Sequence, residues 1–251
     1  MIHETSVIAN RLIAKDVFEI QLHAPELAAA ALPGQFVHMQ TGVFGKPLLR
    51  RPISIADTDP DKGVITCIYK TVGTGTAVLS TRAPGEIINV MGPLGSGFPV
   101  ESVKEDGHVL LIGGGVGVPP MYILAKALTK AGVSCHIFLG FRSSEDVFYE
   151  EAFQSLGDTW VATEDGTRGY RGYITDILTE EHASRYYACG PKPMLAKVKH
   201  QLTIPGYLSL EERMGCGVGA CLACVCRTNT ERGYAKVCSD GPVFDSKEVI
   251  L

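Results

Sequence analysis

Through the first hundred residues the apolar positions fall into short runs separated by turn residues, over 17–22, 35–40, 63–70 and 86–90. Short strands with glycine and proline corners, among them Gly73, Pro84, Gly92 and Pro93, predict a small antiparallel β-barrel. After the charged stretch 101–106 the pattern changes. An apolar run at 108–112 meets a glycine cluster, a helical stretch over 119–131 follows, and a second strand over 133–140 comes at once. That order is the βαβ unit of a parallel sheet. A strand at 160–163, a helix at 174–181, a strand at 185–189 and a helix at 193–202 continue the alternation. A last strand is predicted at 207–212, ahead of a cysteine-rich segment from Gly215 to Cys238.

With 251 residues, 45% of them hydrophobic, the chain is long enough for two cores and an appendage. The net charge of -4 and the lack of any Lys/Arg-rich run argue against a nucleic-acid partner. The first twenty residues hold Glu4 and no uninterrupted apolar stretch, so they do not read as a secretory signal, and no run approaches the length of a membrane span. A cytoplasmic protein is expected. Five of the eight cysteines lie between Cys216 and Cys238, and such crowding in a reducing compartment points to a metal site.

The spacing of those cysteines narrows the chemistry. Four residues separate Cys216 from Cys221, two separate Cys221 from Cys224, and thirteen separate Cys224 from Cys238. C-x4-C-x2-C with a distant fourth ligand is the plant-type [2Fe-2S] pattern. The small residues Gly215, Gly217, Gly219 and Ala220 allow the backbone to wrap closely and aim N–H groups at anionic sulfur. A structural zinc site is the competing reading, but it usually draws on paired C-x2-4-C motifs or on histidines, and the nearest histidine here is His200. Cys226 stands two residues beyond Cys224 and is set aside as a bystander in favour of Cys238. Cys67 and Cys135 read as small buried thiols.

The run Gly113-Gly114-Gly115-Val116-Gly117-Val118-Pro119-Pro120 ends a predicted strand and opens a predicted helix. Backbone N–H groups at such a corner suit a dinucleotide's diphosphate. Glycine for packing alone explains the run equally well, and Pro120 stands where the last glycine of G-x-G-x-x-G would be.

Three motifs together resemble the ferredoxin-NADP reductase superfamily: Arg51-Pro52-Ile53-Ser54, the glycine run, and Cys189-Gly190-Pro191-Lys192-Pro193-Met194. The resemblance implies that Arg51, Pro52, Ile53 and Ser54 bind FAD, with Ile68, Tyr69, Lys70, Gly75 and Thr76 as a second flavin segment. It implies that Gly114, Gly115, Val116 and Gly117 receive NAD, with Cys189, Gly190 and Pro191 near the nicotinamide. Tyr69 as plain barrel packing is the alternative for that residue. Within the superfamily the cysteine segment, with Glu211-Glu212-Arg213-Met214-Gly215-Cys216-Gly217 and the ending Val237-Cys238-Ser239-Asp240-Gly241-Pro242-Val243-Phe244, is similar to the electron-transfer subunits of NAD-dependent (class 1B) dihydroorotate dehydrogenases. Cys226 departs from that family's ligand set.

The implied fold is an antiparallel flavin-binding β-barrel over 1–99, a doubly wound parallel-sheet nucleotide domain over 100–205 and a small C-terminal [2Fe-2S] segment over 206–251. The implied partner is an FMN-containing catalytic subunit, two of each chain forming a heterotetramer in pyrimidine biosynthesis, with no catalytic residue for orotate on this chain. Val243, Phe244, Val249, Ile250 and Leu251 read equally as contact to that partner or as packing of a last strand. The alternatives are a reductase subunit of the NAD(P)H-ferredoxin type serving another partner, an iron-sulfur redox sensor, and a zinc-stabilised binding domain.

Overall fold

The structure is a computed structural model and describes residues 1–42, 47–101, 103, 107–180 and 182–251. The charged stretch 101–106 lies partly outside these residues, as does the last position of the helix expected over 174–181.

Six antiparallel strands close into a barrel: β1 (Ile2–Ala14), β2 (Val17–His23), β3 (Phe36–Met39), β4 (Arg51–Asp59), β5 (Val64–Lys70) and β6 (Ile87–Leu94), in the order β1-β2-β5-β4-β3-β6. Alternating side chains such as Ile20, Leu22, Ile53, Ile55, Ile65, Ile88 and Val90 fill its interior. The short helix α1 (Pro25–Ala30) buries Leu27 against the same core, and α2 (Thr74–Ser80) follows β5.

The second unit is a seven-stranded sheet. Its order is β10 (Tyr170–Arg171), β9 (Asp158–Thr163), β8 (Ser134–Phe141), β7 (His108–Gly114), β11 (Arg185–Cys189), β12 (Gly206–Ser209) and β15 (Val243–Asp245). All neighbours are parallel except β15, which runs antiparallel to β12. The unbroken apolar run of β7 is explained by burial on both faces, since Leu110, Leu111 and Ile112 are all inaccessible to solvent. Helix α3 (Val118–Lys130) begins with Pro119 and Pro120 in its first turn, where a missing N–H costs little. It packs Met121, Leu124 and Leu128 on the sheet while Ile123 enters the barrel core, and Lys126 pairs with Asp57 of β4 at 2.6 Å. One helix thus ties barrel to sheet. The short α4 (Glu150–Gln154) and α5 (Lys192–Gln201) complete the unit.

The helix expected over 174–181 is only a 3-10 turn, Ile174–Ile177. Asp176 accepts the Tyr173 N–H, Leu178 is extended, and the Glu180 carboxylate accepts both the N–H and the hydroxyl of Thr203. These side-chain bonds draw the backbone away from a helical path. The strand expected over 207–212 stops at Ser209, because the Leu210 N–H turns to the carbonyl of Pro242.

The cysteine segment carries a small antiparallel sheet, β14 (Tyr234–Lys236), β13 (Val225–Thr228) and β16 (Val249–Ile250). Cys224, Val237, Cys238, Phe244 and Val249 share a core with Leu110, Ile112 and Leu195 of the parallel-sheet unit. Val243, Phe244 and Val249 are therefore packing residues, while Ile250 and Leu251 remain exposed. Among the described residues no helix is long and apolar enough to cross a membrane.

Candidate functional site

Arg51, Pro52, Ile53, Ser54, Ile68, Tyr69, Lys70 and Thr76 border one cavity of about 780 Å³, within the usual range for a cofactor site. Arg51 lies at the start of β4, where its Nη1 donates to the carbonyls of Leu49 at 2.6 Å and Arg50 at 3.2 Å. Gly75 lies directly beneath the guanidinium: a Cβ there would stand 2.3 Å from Nε. That cradle suits a cationic fork presented to a diphosphate. Thr76 uses its hydroxyl on its own turn, accepting the N–H groups of Val72 and Gly73. Tyr69 borders the cavity, yet its ring is buried, stacks on Phe18 at 5.8 Å and donates its hydroxyl to Asn10. Its side chain does barrel packing.

A second cavity of about 520 Å³ is bordered by Gly114, Gly115, Val116 and Pro191, with Arg142, Glu164 and Lys197 farther out. Gly117, Cys189 and Gly190 form the layer behind it. A Cβ on Gly117 would lie 2.3 Å from the Cys189 carbonyl, so this glycine lets the turn sit on the end of β11. The Cys189 thiol is fully buried, and burial raises its pKa. Val116 and Lys70 border both cavities, which therefore meet there. Lys70 donates to Asp146 at 2.9 Å, and Ser143 donates to the other oxygen of that carboxylate at 3.0 Å. Desolvation pushes Asp146 up, but the bonds from Lys70 and Ser143 and the charges of Lys70 and Arg142 hold it below the usual carboxylate value.

The cysteine loop wraps its own sulfur atoms. The Cys216 thiol accepts N–H groups from Val218, Ala220 and Cys221 at 3.3–3.5 Å. Cys238 accepts from Gly219 at 3.1 Å, and Cys224 accepts from the Cys238 N–H at 3.4 Å. The bond from Val218 leads the effects that draw Cys216 down to about 6, whereas burial pushes Cys238 up to about 12. Backbone N–H bonds link the cysteines two by two, Cys221 donating to Cys216 and Cys238 donating to Cys224, each at 3.4 Å. Among the described residues no three His, Cys, Asp or Glu side chains converge as a site for one metal ion. Two pairs fit a binuclear cluster better than the single tetrahedron of a zinc site. Gly217, at φ +73°, takes the left-handed turn that exposes these N–H groups. Cys226 lies in β13 opposite Ala235, and burial, not another thiol, leads the rise in its pKa.

The motifs leave some of the site unannounced. Residues 209–214, of which 209–212 belong to the strand expected over 207–212, line the first cavity, and Met214 stands two residues before Cys216. Glu211 lines that cavity with its side chain still open to solvent, and desolvation by the surrounding protein raises its pKa. His38 of β3 is buried beneath the cysteine loop with its pKa lowered to about 4 by burial. A lone histidine in an alternating strand carries no signal for this.

Two family models match: the iron-sulfur cluster binding domain of dihydroorotate dehydrogenase B over residues 211–250, and the oxidoreductase NAD-binding domain over 111–200. Dihydroorotate dehydrogenase B (NAD(+)), electron transfer subunit, from Geobacillus kaustophilus (strain HTA426) is 49% identical over 251 residues, covering 98% of this chain and 97% of that one. The protein of the same description from Lysinibacillus sphaericus (strain C3-41) matches to the same extent. Among solved structures, that of an NADH-dependent reduced ferredoxin-NADP oxidoreductase, described for flavin-based electron bifurcation, superposes with a TM-score of 0.87 at 32% identity, covering 98% of this chain and 89% of that one. A ferredoxin reductase in carbazole 1,9a-dioxygenase, at 22% identity and a TM-score of 0.66 over 80% of this chain and 64% of that one, shares the fold. The chain belongs to the family of the electron transfer subunits of dihydroorotate dehydrogenase B.

Proposed function

We propose that this chain passes electrons from the FMN of a dihydroorotate dehydrogenase catalytic subunit, by way of a [2Fe-2S] cluster and FAD, to NAD+ in the de novo synthesis of UMP. A bound flavin supplies the link between hydride chemistry, which moves two electrons together, and a cluster that takes one at a time. Cys216, Cys221, Cys224 and Cys238 would hold the cluster. Arg51 offers its guanidinium to the FAD diphosphate, and Pro52, Ile53, Ser54, Ile68, Lys70 and Thr76 shape the wall around it. Gly114, Gly115 and Val116 receive NAD, with Gly117, Cys189 and Gly190 as the floor and Pro191 at the side. In this reading residues 1–99 bind FAD, 100–205 bind NAD and 206–251 hold the cluster.

One observation carries the reading: the paired thiols begin two residues after Met214, which lines the flavin cavity. Cys221 is exposed, and so are its sequence neighbours Val218, Leu222 and Val225. Exposed apolar residues beside a redox centre suit docking of a partner. That partner is the FMN-containing catalytic subunit, two of each chain form a heterotetramer, and the complex is cytoplasmic. The resemblance to the ferredoxin-NADP oxidoreductase supports a second reading, in which the same cofactors serve another donor.

Anaerobic purification, alone and with the catalytic subunit, separates these readings by the visible spectrum. NADH is expected to bleach flavin and cluster in the isolated chain, and dihydroorotate only in the complex. Bleaching by NADH but never by dihydroorotate favours the second reading. A colourless chain after iron and sulfide reconstitution overturns both.

A further inference from the structure

His38 is fully buried, and neither ring nitrogen closes a hydrogen bond of normal geometry. A buried imidazole left so is costly. Its surroundings explain its position. On one side is the flavin strand: His38 pairs with Pro52 in the β3–β4 register, and Arg50 Nη1 donates to the His38 carbonyl at 3.2 Å. The same guanidinium donates to the Asn89 carbonyl at 2.9 Å, locking β3 and β6 beside the flavin motif. On the other side is the cluster loop. A Cβ on Gly217 would stand 2.5 Å from His38 Nδ1, so the bare backbone next to Cys216 rests on the ring. The backbone carbonyls nearest the imidazole are those of Arg50 and Cys216, neither of them in hydrogen-bond geometry with a ring nitrogen. One belongs to the flavin motif and the other to the first cluster ligand.

We propose that His38 is a positioning residue that fixes the cluster loop to the flavin barrel, its ring N–H donating to the backbone carbonyl of Cys216. This rests on the cofactor reading given above. The imidazole touches neither reacting group. It sets where Cys216 sits relative to the flavin cavity, and a neutral imidazole, with one N–H, can serve only one of the two carbonyls at a time. Gly217 is part of the same device, since any side chain there would displace the ring.

The test compares His38→Leu, which has no donor, with His38→Asn, which keeps an N–H of similar reach, in the full chain purified anaerobically. Rapid mixing with NADH reads flavin bleaching and cluster bleaching separately, and the EPR spectrum of the dithionite-reduced cluster reports its surroundings without turnover. In His38→Leu, flavin reduction is expected to stay within about twofold of the parent chain, while cluster reduction slows by about tenfold or more and the EPR line shape changes. His38→Asn is expected to recover most of both. Equal behaviour of the two variants, whether parent-like or cluster-free, overturns the proposal, because packing alone would not distinguish them by their donor. A parent chain without flavin or cluster bands overturns the cofactor reading itself, and this inference with it.

Discussion

On the proposed reading the cysteine loop and the glycine turn both serve negative charge, but they are built in opposite ways. In the loop the anions belong to the chain, and the donors of Val218, Ala220 and Cys221 already converge on Cys216. In the turn the anion would arrive with the proposed nucleotide, and the missing Cβ atoms serve the protein: Gly114 makes room for Met194 and Gly117 for the Cys189 carbonyl. The loop therefore keeps function apart from fold, at least on its exposed side, whereas the turn fuses the two. Damage to the loop should remove one cofactor cleanly. Damage to the turn should weaken the sheet and the nucleotide site together.

Cys221→Ser gives the largest effect on this view. The side chain is exposed, so the chain should fold and bind flavin normally while the cluster is lost; iron content should fall to near zero and NADH should still bleach the flavin. A large drop in thermal midpoint would show that the loop is not separable from the fold. Gly117→Ala tests the other half. Its Cβ meets the Cys189 carbonyl at 2.3 Å, so overpacking should cost about 1–3 kcal/mol and NADH affinity should fall as well. Calorimetry alongside NADH titration reads both, and a change in only one of them breaks the claim that they are fused.

The same contrast explains what could be read in the chain. Side chains at fixed intervals announce themselves, as Cys216, Cys221, Cys224 and Cys238 do, and so do the long apolar runs of β7 and α3. A site made by backbone and by convergence does not. Residues 209–212 look like the end of a strand, and the turn of Leu210 toward Pro242 makes them part of a cavity wall. The helix expected over 174–181 fails for a related reason, since Asp176 and Glu180 spend their carboxylates on Tyr173 and Thr203. Tyr69 looks like a flavin platform in its motif, but β5 turns its ring into the barrel. Apart from the local bond between Asp176 and Tyr173, partners far along the chain decide these outcomes.

Gly75→Ala should have an intermediate effect. Like Gly117 it is a close-approach glycine, but its neighbour is the Arg51 side chain, which can swing aside where a carbonyl cannot. Flavin occupancy should drop while the thermal midpoint of the flavin-free chain moves little. Smaller still is the Lys70–Asp146 pair, which joins the barrel to the sheet between the two cavities. Asp146 is depressed in the folded chain, so its contribution is present above pH 3.8 and is lost as pH falls through the lower folded value. For a partly exposed pair the amount is about 1 kcal/mol. Thermal melts from pH 7 to pH 3 should show a steeper loss of stability at the acid end in the parent chain than in Asp146→Asn; identical slopes would remove the pair from the junction's energetics.

Cys226→Ala should do least, and it is the sharpest check on how the loop ends. Were β13 to begin at Cys224, Cys224 and Cys226 would share one face of the strand and compete for the same iron. Instead Cys224 sits in the turn before β13, paired with Cys238, while Cys226 opposes Ala235 inside the strand. Its half-buried thiol has Glu212 and Lys192 as charged neighbours. Removing one sulfur from such a place should change stability by no more than about 1 kcal/mol. Iron content, visible spectrum and the EPR signal of the reduced cluster should all match the parent chain. Loss of iron in Cys226→Ala, together with its retention in Cys238→Ala, would exchange the roles of the two cysteines and require the loop to close on β13 instead of on the turn after β14.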